Sequence, residues 1–463
     1  MLVLLLPLAA LRGYAQWSVV NGGVENGQVY TMLYIEDSAT LVLGGSSRYL
    51  YSITDPINGV AYYNEGVWHP MGTGVTHSIP VGQVPPVQSI CAFNGSLLVG
   101  GEFYAMDSVP FSSYVAQWDG DQWHSMGVDS CCQELSLVRS WRVLEENAHL
   151  CGWMEWTIDT VSFKSWATWD GEHWAPGDTN GLFPFGYSGQ INQVVDYNGQ
   201  RYVCGNFQQW NVPNDLAVLD GDTWEEVGPG IQGDAWVNDL EVFDGKLWVA
   251  GEFYSSAGNP ATGLMTWDGT QWADPFPQIE FSAAGKELLV ADGKLYFVGP
   301  FVGDGLTGQY RIGVFDGEQL CVLGGHLIQA YSIAASADTL YGFVYPEGWP
   351  MQQVAKWPLD APPDTCYTIV QGVFDSQSLR PEFTLFPNPA SEQITLRSTV
   401  VLTGDVIVRI LDAAGRLVRT VNIQPSGRVV ALSIEGMPPG CYQAVVCASD
   451  LVRKISLPFM KVD

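Results

Sequence analysis

The sequence predicts an all-β protein: a seven-bladed β-propeller followed by a small immunoglobulin-like β-sandwich. Three observations carry this. A Trp-Asp-Gly hairpin recurs about every 50 residues. A second landmark, an apolar run closed by Gly, recurs in phase with it. After Leu359 the rhythm stops and the charge balance changes.

The hairpin is clearest in "AQWDGDQWHSMG" from Ala116, and versions of it start at Ala167, Ala217, Met265 and Gly313. Aligned on the residue after the turn, the series is Trp68, Trp123, Trp174, Trp224, Trp272 and Leu320, with steps of 55, 51, 50, 48 and 48 residues. The apolar runs are "LVLGGSS" at Leu41, "LLVGGEF" at Leu97, "HLCGWME" at His149, "RYVCGNF" at Arg201, "LWVAGEF" at Leu247 and "LYFVGPF" at Leu295. Asp-Gly is a strong hairpin signal because Gly accepts positive φ without penalty. Four strand-like segments per period of this length describe a propeller blade. A seventh unit supplies three strands and ends at Trp357. Its fourth is expected from "AQWSVVNGGV", because Trp17 lies 51 residues, one period, before Trp68. An N-terminal strand that closes the ring removes exposed sheet edges. Six or eight blades are the alternatives, since 131–142 and 177–190 are long, irregular connections.

Composition agrees. The chain has 463 residues, 47% hydrophobic and 15% charged, with Gly 51, Trp 18 and Tyr 20. That favours many short strands over helices. The net charge is −29. Residues 16–379 hold 10 Lys+Arg against 42 Asp+Glu, whereas 380–463 hold 9 against 7, which separates two modules. An acidic body excludes nucleic acid and anionic membrane surfaces as partners. Residues 1–15 read as a signal peptide cut between Ala15 and Gln16, although Arg12 is its only basic residue. The apolar stretch 2–11 is too short to span a bilayer, and no transmembrane segment is expected. Residues 16–359 are assigned to the propeller, 360–379 to a linker and 380–463 to the C-terminal domain.

The repeat resembles the kelch-like, WDG-repeat propellers of secreted bacterial proteins. The tail carries "FPNPA" with Phe386, Pro387, Asn388 and Pro389, "LDAAGRLV" with Gly415 and Arg416, "GCY" with Gly440 and Tyr442, and Lys454 near the end. In order and spacing it resembles the type A C-terminal sorting domain of the type IX secretion system. That resemblance implies a secreted or outer-membrane-surface location in a Gram-negative bacterium. It also implies two partners, the type IX translocon and a sortase-like protease that removes the tail.

Candidate chemistry is sparse. The six His residues show no zinc spacing, and neither a G-x-S-x-G elbow nor an EF-hand loop occurs. The pairs Asp119/Asp121 and Asp220/Asp222 are read as turn formers, since the second carboxylate varies to Glu172, Thr270 and Glu318. Ca²⁺ suits the acidic charge but no motif supports it, so no metal or cofactor is expected. Nine cysteines leave the pairing open; Cys151 and Cys204, at matching repeat positions, read as small buried hydrophobes. Cys441 and Cys447 share one strand and cannot pair with each other. The loops after the second strand of each blade should gather on one face, where Tyr104, Trp210 and Tyr254 are candidate ligand contacts. The expected function is a non-catalytic, monomeric binding module for a glycan or protein partner. The alternatives are a glycan-degrading hydrolase or lyase with its site on those loops, and a passive surface protein.

Overall fold

The computed structural model describes residues 17–21, 24–25, 27–50, 56–76, 84–128, 137–158, 160–179, 182, 189–206, 215–277, 279–281, 285–302, 310–323, 327–346, 352–361, 363, 365–368, 383–386, 389–398, 406–412, 416–423, 429–448 and 455–462. The expected leader, with Ala15 and Gln16, lies outside them. The chain forms two compact units, Met1–Ile369 and Val370–Asp463.

The first unit is a seven-bladed propeller. In blade 5, Trp236–Phe243, Lys246–Glu252, Leu264–Trp267 and Trp272–Ala273 pair antiparallel from the inside of the ring outwards. Blades 1 to 4 and 6 repeat the order. Blade 7 takes Leu327–Ala335, Thr339–Pro346 and Gln353–Pro358 from one end of the propeller sequence and Ser18–Val19 from the other. The closing register is Ser18↔Lys356 and Val19↔Ala355. Trp17 packs against Trp357 with ring centroids 5.7 Å apart.

The apolar run closes on Gly for a steric reason. The innermost strand bulges between Val29 and Thr31, Val87 and Ser89, Val138 and Ser140, Ile191 and Gln193, and Val237 and Asp239. Opposite each bulge sits Gly45, Gly101, Gly152, Gly205 or Gly251. A Cβ there would lie 1.9–2.4 Å from a carbonyl oxygen of the bulged strand. The preceding position faces the next blade: a Cβ on Gly100 would meet Val138 at 2.4 Å. In blades 1 to 5 the position holds Gly44, Gly100, Cys151, Cys204 and Ala250, the two Cys as buried free thiols.

The repeat Trp does more than start a strand. Its indole N–H donates to a carbonyl of the preceding blade or of the connection leading out of it: Trp68 to Val20 at 3.1 Å, Trp123 to Met71 at 2.8 Å, Trp174 to Met126 at 2.7 Å, Trp224 to Asp178 at 3.0 Å and Trp272 to Val227 at 3.1 Å. The bonds of Trp68 and Trp123 pair buried donors that must otherwise stay unsatisfied, and those of Trp174, Trp224 and Trp272 are partly buried.

Residues 365–368, inside the expected linker, form part of the first unit. Thr365–Thr368 adds a strand to the outer edge of blade 6, where Cys366 lies opposite Cys321 and forms a disulfide with it. The second unit has one sheet of Phe383–Phe386, Gln393–Ser398 and Val429–Ser433. The other holds Leu417–Ile423, Val406–Asp412, Gly440–Ala448 and Ile455–Lys461.

Replacing one indole donor tests the ring contact. Trp123→Phe keeps most of the ring volume and orphans the Met71 carbonyl, so urea unfolding of the full chain should show a loss of about 1–2 kcal/mol.

Candidate functional site

The sheet order separates the two ends of the ring. The turns between first and second strands, and between third and fourth, lie at one end. The second-to-third loops and the connections between blades lie at the other. In four of the Asp-Gly hairpins at the turn end the Asp carboxylate is occupied by the backbone; at Asp220 the described bond is instead from the Thr223 hydroxyl to the Asp220 carbonyl at 3.1 Å. Oδ1 of Asp119 accepts the N–H groups of Gln122 at 2.8 Å and Asp121 at 2.9 Å. Asp170, Asp268 and Asp316 repeat the geometry at 2.7–2.9 Å. The amide of Gln122 is the largest influence holding the Asp119 carboxyl well below its usual range, with His124 and the Asp121 amide adding to it. The Thr270 hydroxyl and nearby amides push Asp268 down to about 2. Among the described residues no three His, Cys, Asp or Glu side chains form a group able to hold a metal.

The loop end carries all four of the described aromatics that are strongly exposed: Phe111 at 55%, Trp153 at 52%, Tyr254 at 50% and Tyr30 at 49%. Tyr254, a candidate ligand contact from the sequence, is exposed at this end. Tyr104, half-buried, supports the face from beneath: its ring lies 6.2 Å from Tyr114, which stacks on Trp156 of blade 3 at 6.2 Å. Trp210 lies outside the described residues. Phe111, Trp153 and Tyr30 were missed. Phe111 is one of three aromatics in its loop, and nothing local says which points outward. Trp153 and Tyr30 lie in strands at the bulges, where the alternation that sorts faces breaks.

Blade 2 holds its loop rigidly. Asp107 accepts from the backbone N–H of Thr73 at 3.0 Å and from the Thr73 hydroxyl, and its own N–H donates to Gly74. Ser112 Oγ accepts from the Met106 amide at 2.9 Å and donates to the Val109 carbonyl at 2.6 Å; Ser125 Oγ donates to the Phe111 carbonyl at 2.7 Å. Inside this frame Asp107, Ser108, Phe111 and Tyr114 have φ of 50°, 62°, 57° and 65°. An L-residue pays about 1–2 kcal/mol for that conformation. In blade 5, Asn259 ties the Tyr254 loop to the preceding connection, accepting from Gln232 N–H at 2.8 Å and donating to the Tyr254 carbonyl at 3.0 Å.

The inner wall holds charges that sequence reasoning did not single out. Arg142 of blade 3 makes a bidentate pair with Glu241 of blade 5 at 2.8 and 2.9 Å. Arg201 pairs likewise with Asp196 at 2.8 and 2.9 Å. Two half-buried carboxyls join successive blades: Asp239 accepts from Leu288 N–H at 2.8 Å and Gln193 at 3.3 Å, and Glu287 accepts from Ile333 N–H at 3.1 Å. Desolvation pushes Asp239 up to about 7, with the Glu241 charge adding to it, and Glu287 up to about 8, with the Asp239 charge adding. These acids sit where hydrogen bonds to the next blade engage them. His149 is also structural: it is buried, its Nδ1 accepts from the Trp166 indole at 3.1 Å, and burial and Arg201 push its pKa down to about 4.

In the second unit, Tyr442 is buried and donates to the Pro438 carbonyl at 2.7 Å, while a Cβ on Gly440 would touch its ring at 3.7 Å. Arg416 is exposed, Phe386 ends a strand and Pro389 follows it. Pro387, Asn388, Gly415 and Lys454 lie outside the described residues.

Residues 384–456 match the family described as the secretion system C-terminal sorting domain. No curated protein matches the chain. Among solved structures it is similar to PorZ, a surface component of the type-IX secretion system of Porphyromonas gingivalis, at 10% identity over 95% of this chain and 82% of that one, TM-score 0.24. It is also similar to the β-propeller domain of the Trilobed protease from Pyrococcus furiosus, at 9% identity over 74% and 98%, TM-score 0.42. A third is an acylaminoacyl peptidase of Pyrococcus horikoshii, at 9% identity over 82% and 59%, TM-score 0.38. The tail is a type IX sorting domain, and the chain is an exported propeller cargo, secreted or held at the cell surface.

The inner-wall acids set a pH dependence. Their folded pKa values lie above the ordinary 3.8 and 4.5, so their contribution is full below pH about 4 and is lost as pH rises through about 7 and 8. The melting temperature should therefore fall between pH 5 and pH 8.5, and Glu287→Gln should flatten the upper part of that fall. A slope unchanged by the substitution would refute the assignment.

Proposed function

We propose that the propeller is a non-catalytic recognition module and that it binds an uncharged glycan on its loop face. One observation carries the reading. Phe111 is an exposed aromatic held at φ 57°, where Gly or Asn would cost less. Strain of this kind persists where surrounding structure enforces it, and it concentrates at ligand sites. The loop is enforced from both flanks, by Thr73 and Gly74 on one side and by Ser125 on the other.

The chemistry of the face supports the ligand class. Its exposed aromatics sit on blades 1, 2, 3 and 5, and Ser108 is exposed in the same loop as Phe111. A sugar offers apolar C–H faces to single rings and hydroxyls to polar groups. A protein partner instead buries about 1,200–2,000 Å² around a packed apolar centre. The −29 net charge disfavours sulfated or uronate-rich chains. The acids described at the turns and on the inner wall are engaged by backbone amides, Arg side chains or both, which supports recognition over hydrolysis.

The test separates strain from fold. Phe111→Gly should leave the melting temperature unchanged or raise stability by about 1 kcal/mol. On an array of neutral glycans it should weaken retention of the full chain by about 30-fold, the effect of a contact worth about 2 kcal/mol. An array without a binder, or retention that Phe111→Gly and Trp153→Ala leave intact, would overturn glycan recognition here. Time-dependent release of reducing ends would overturn the non-catalytic part.

A further inference from the structure

The ring is not equally secured at every junction. Among the described residues indole bonds join five of the seven, and both exceptions flank blade 6. Its own repeat position is Leu320, which has no donor. At the next junction the Trp17 indole N–H is buried without a partner among the described residues, as are Tyr296 Oη and Trp357 Nε1. A cavity of about 120 Å³ lies at this seam, lined by Tyr296, Val314, Cys321, Leu323, Trp357 and Leu359 among others. Among the described residues blade 7 is itself closed by two residue pairs, supplemented by the Val20 N–H to the Val354 carbonyl at 2.9 Å.

A strap crosses this seam. After Gln353–Pro358, the third strand of blade 7, the chain turns back, with Leu359 N–H on the Asp338 carbonyl at 2.8 Å and Ala361 N–H on Pro358 at 3.1 Å. It then lies antiparallel on blade 6, with Gln319↔Thr368, Leu320↔Tyr367, Cys321↔Cys366 and Val322↔Thr365 in register. The Cys321–Cys366 bond spans 45 residues, so the covalent loop encloses all three strands that residues 327–358 give to blade 7. Cys366 is exposed, whereas the free thiols of Cys91, Cys151 and Cys204 are buried and pushed towards the thiol form.

We propose that this disulfide is a redox-controlled latch on ring closure. With Cys321 and Cys366 as thiols, the 6–7 seam opens locally while the rest of the ring stays joined. Oxidation locks it. The two thiols are oxidised by exchange with a disulfide-bearing protein oxidant: one sulfur–sulfur bond forms in this chain and one breaks in the oxidant, which takes up two electrons and two protons. An exported chain meets such oxidants only after leaving the cytoplasm, so the latch ties completion of the propeller to its compartment.

Hydrogen exchange on the full chain tests it. In a Cys321→Ala/Cys366→Ala variant, amides of 18–20, 340–344 and 354–357 should exchange at least 10-fold faster than in the oxidised protein. Blades 2 to 4 should be unchanged. Equal exchange at the seam, or equal acceleration in all seven blades, would overturn the latch. If the variant does not fold, the wild-type chain is titrated with reductant while labelling at Cys321 and Cys366 is mapped. Labelling of both with folded blades 2 to 4 supports the latch, and labelling only as the whole ring unfolds overturns it.

Discussion

The indole bond between neighbouring blades is the contact on which the rest of this ring depends. A propeller blade is a twisted four-stranded sheet with two large faces to cover, and only its neighbours can cover them. Apolar packing alone lets sheets slide, because burial is non-directional. A donor fixed on the outer strand, with one carbonyl to reach, sets the angle between sheets. The donor recurs about every 50 residues because blades of equal size place the acceptor at one repeat's distance. The observed bonds span 45 to 52 residues. Near the axis the counterpart is steric: a bulge on the inner strand and a Gly facing it let the sheets converge.

Fixing the sheets in this way divides the labour of the two ends. Turns at one end are short and solved by local chemistry, with an Asp oxygen taking the two amides that follow it. At the other end, loops lie over a frame that does not yield, so they can hold conformations the free chain avoids. Four residues with positive φ within eight positions of blade 2 are affordable only because Thr73, Ser125 and the Tyr114–Trp156 stack hold both sides.

Much of this was legible in the sequence. The period gave the blades, the closing strand at Trp17 and the burial of Cys151 and Cys204, because each follows from a repeat position. The sorting tail was legible from its motifs. What escaped depends on contacts between distant segments. The Arg142–Glu241 pair joins blades 3 and 5, and the partner of Cys321 lies 45 residues on, after the repeat has ended. The loop that presents Phe111 is held at Asp107 by Thr73, 34 positions earlier, and at the Phe111 carbonyl by Ser125, 14 positions later. Periodicity reports which residues are equivalent, and these are residues whose importance lies in not being equivalent.

Placement relates the two least regular parts of the ring. The strained loop of blade 2 and Trp153 of blade 3 stand in the arc where every junction has its indole bond. The unbonded seam lies at blade 6 and continues into blade 7, where both ends of the propeller sequence meet. A recognition surface needs preorganised side chains, since ordering them on binding costs about 0.5–1.5 kcal/mol each. Closure by an N-terminal strand and a C-terminal strap needs the opposite, a segment free to dock last. Seven blades allow both because neighbours interact locally. Opening one junction removes contacts from blades 6 and 7 and leaves the bonds of blades 1 to 4 in place. The arc that carries Phe111 and Trp153 therefore keeps its indole bonds whether or not the seam is locked, and the position of the weak junction follows from where the propeller's circuit closes.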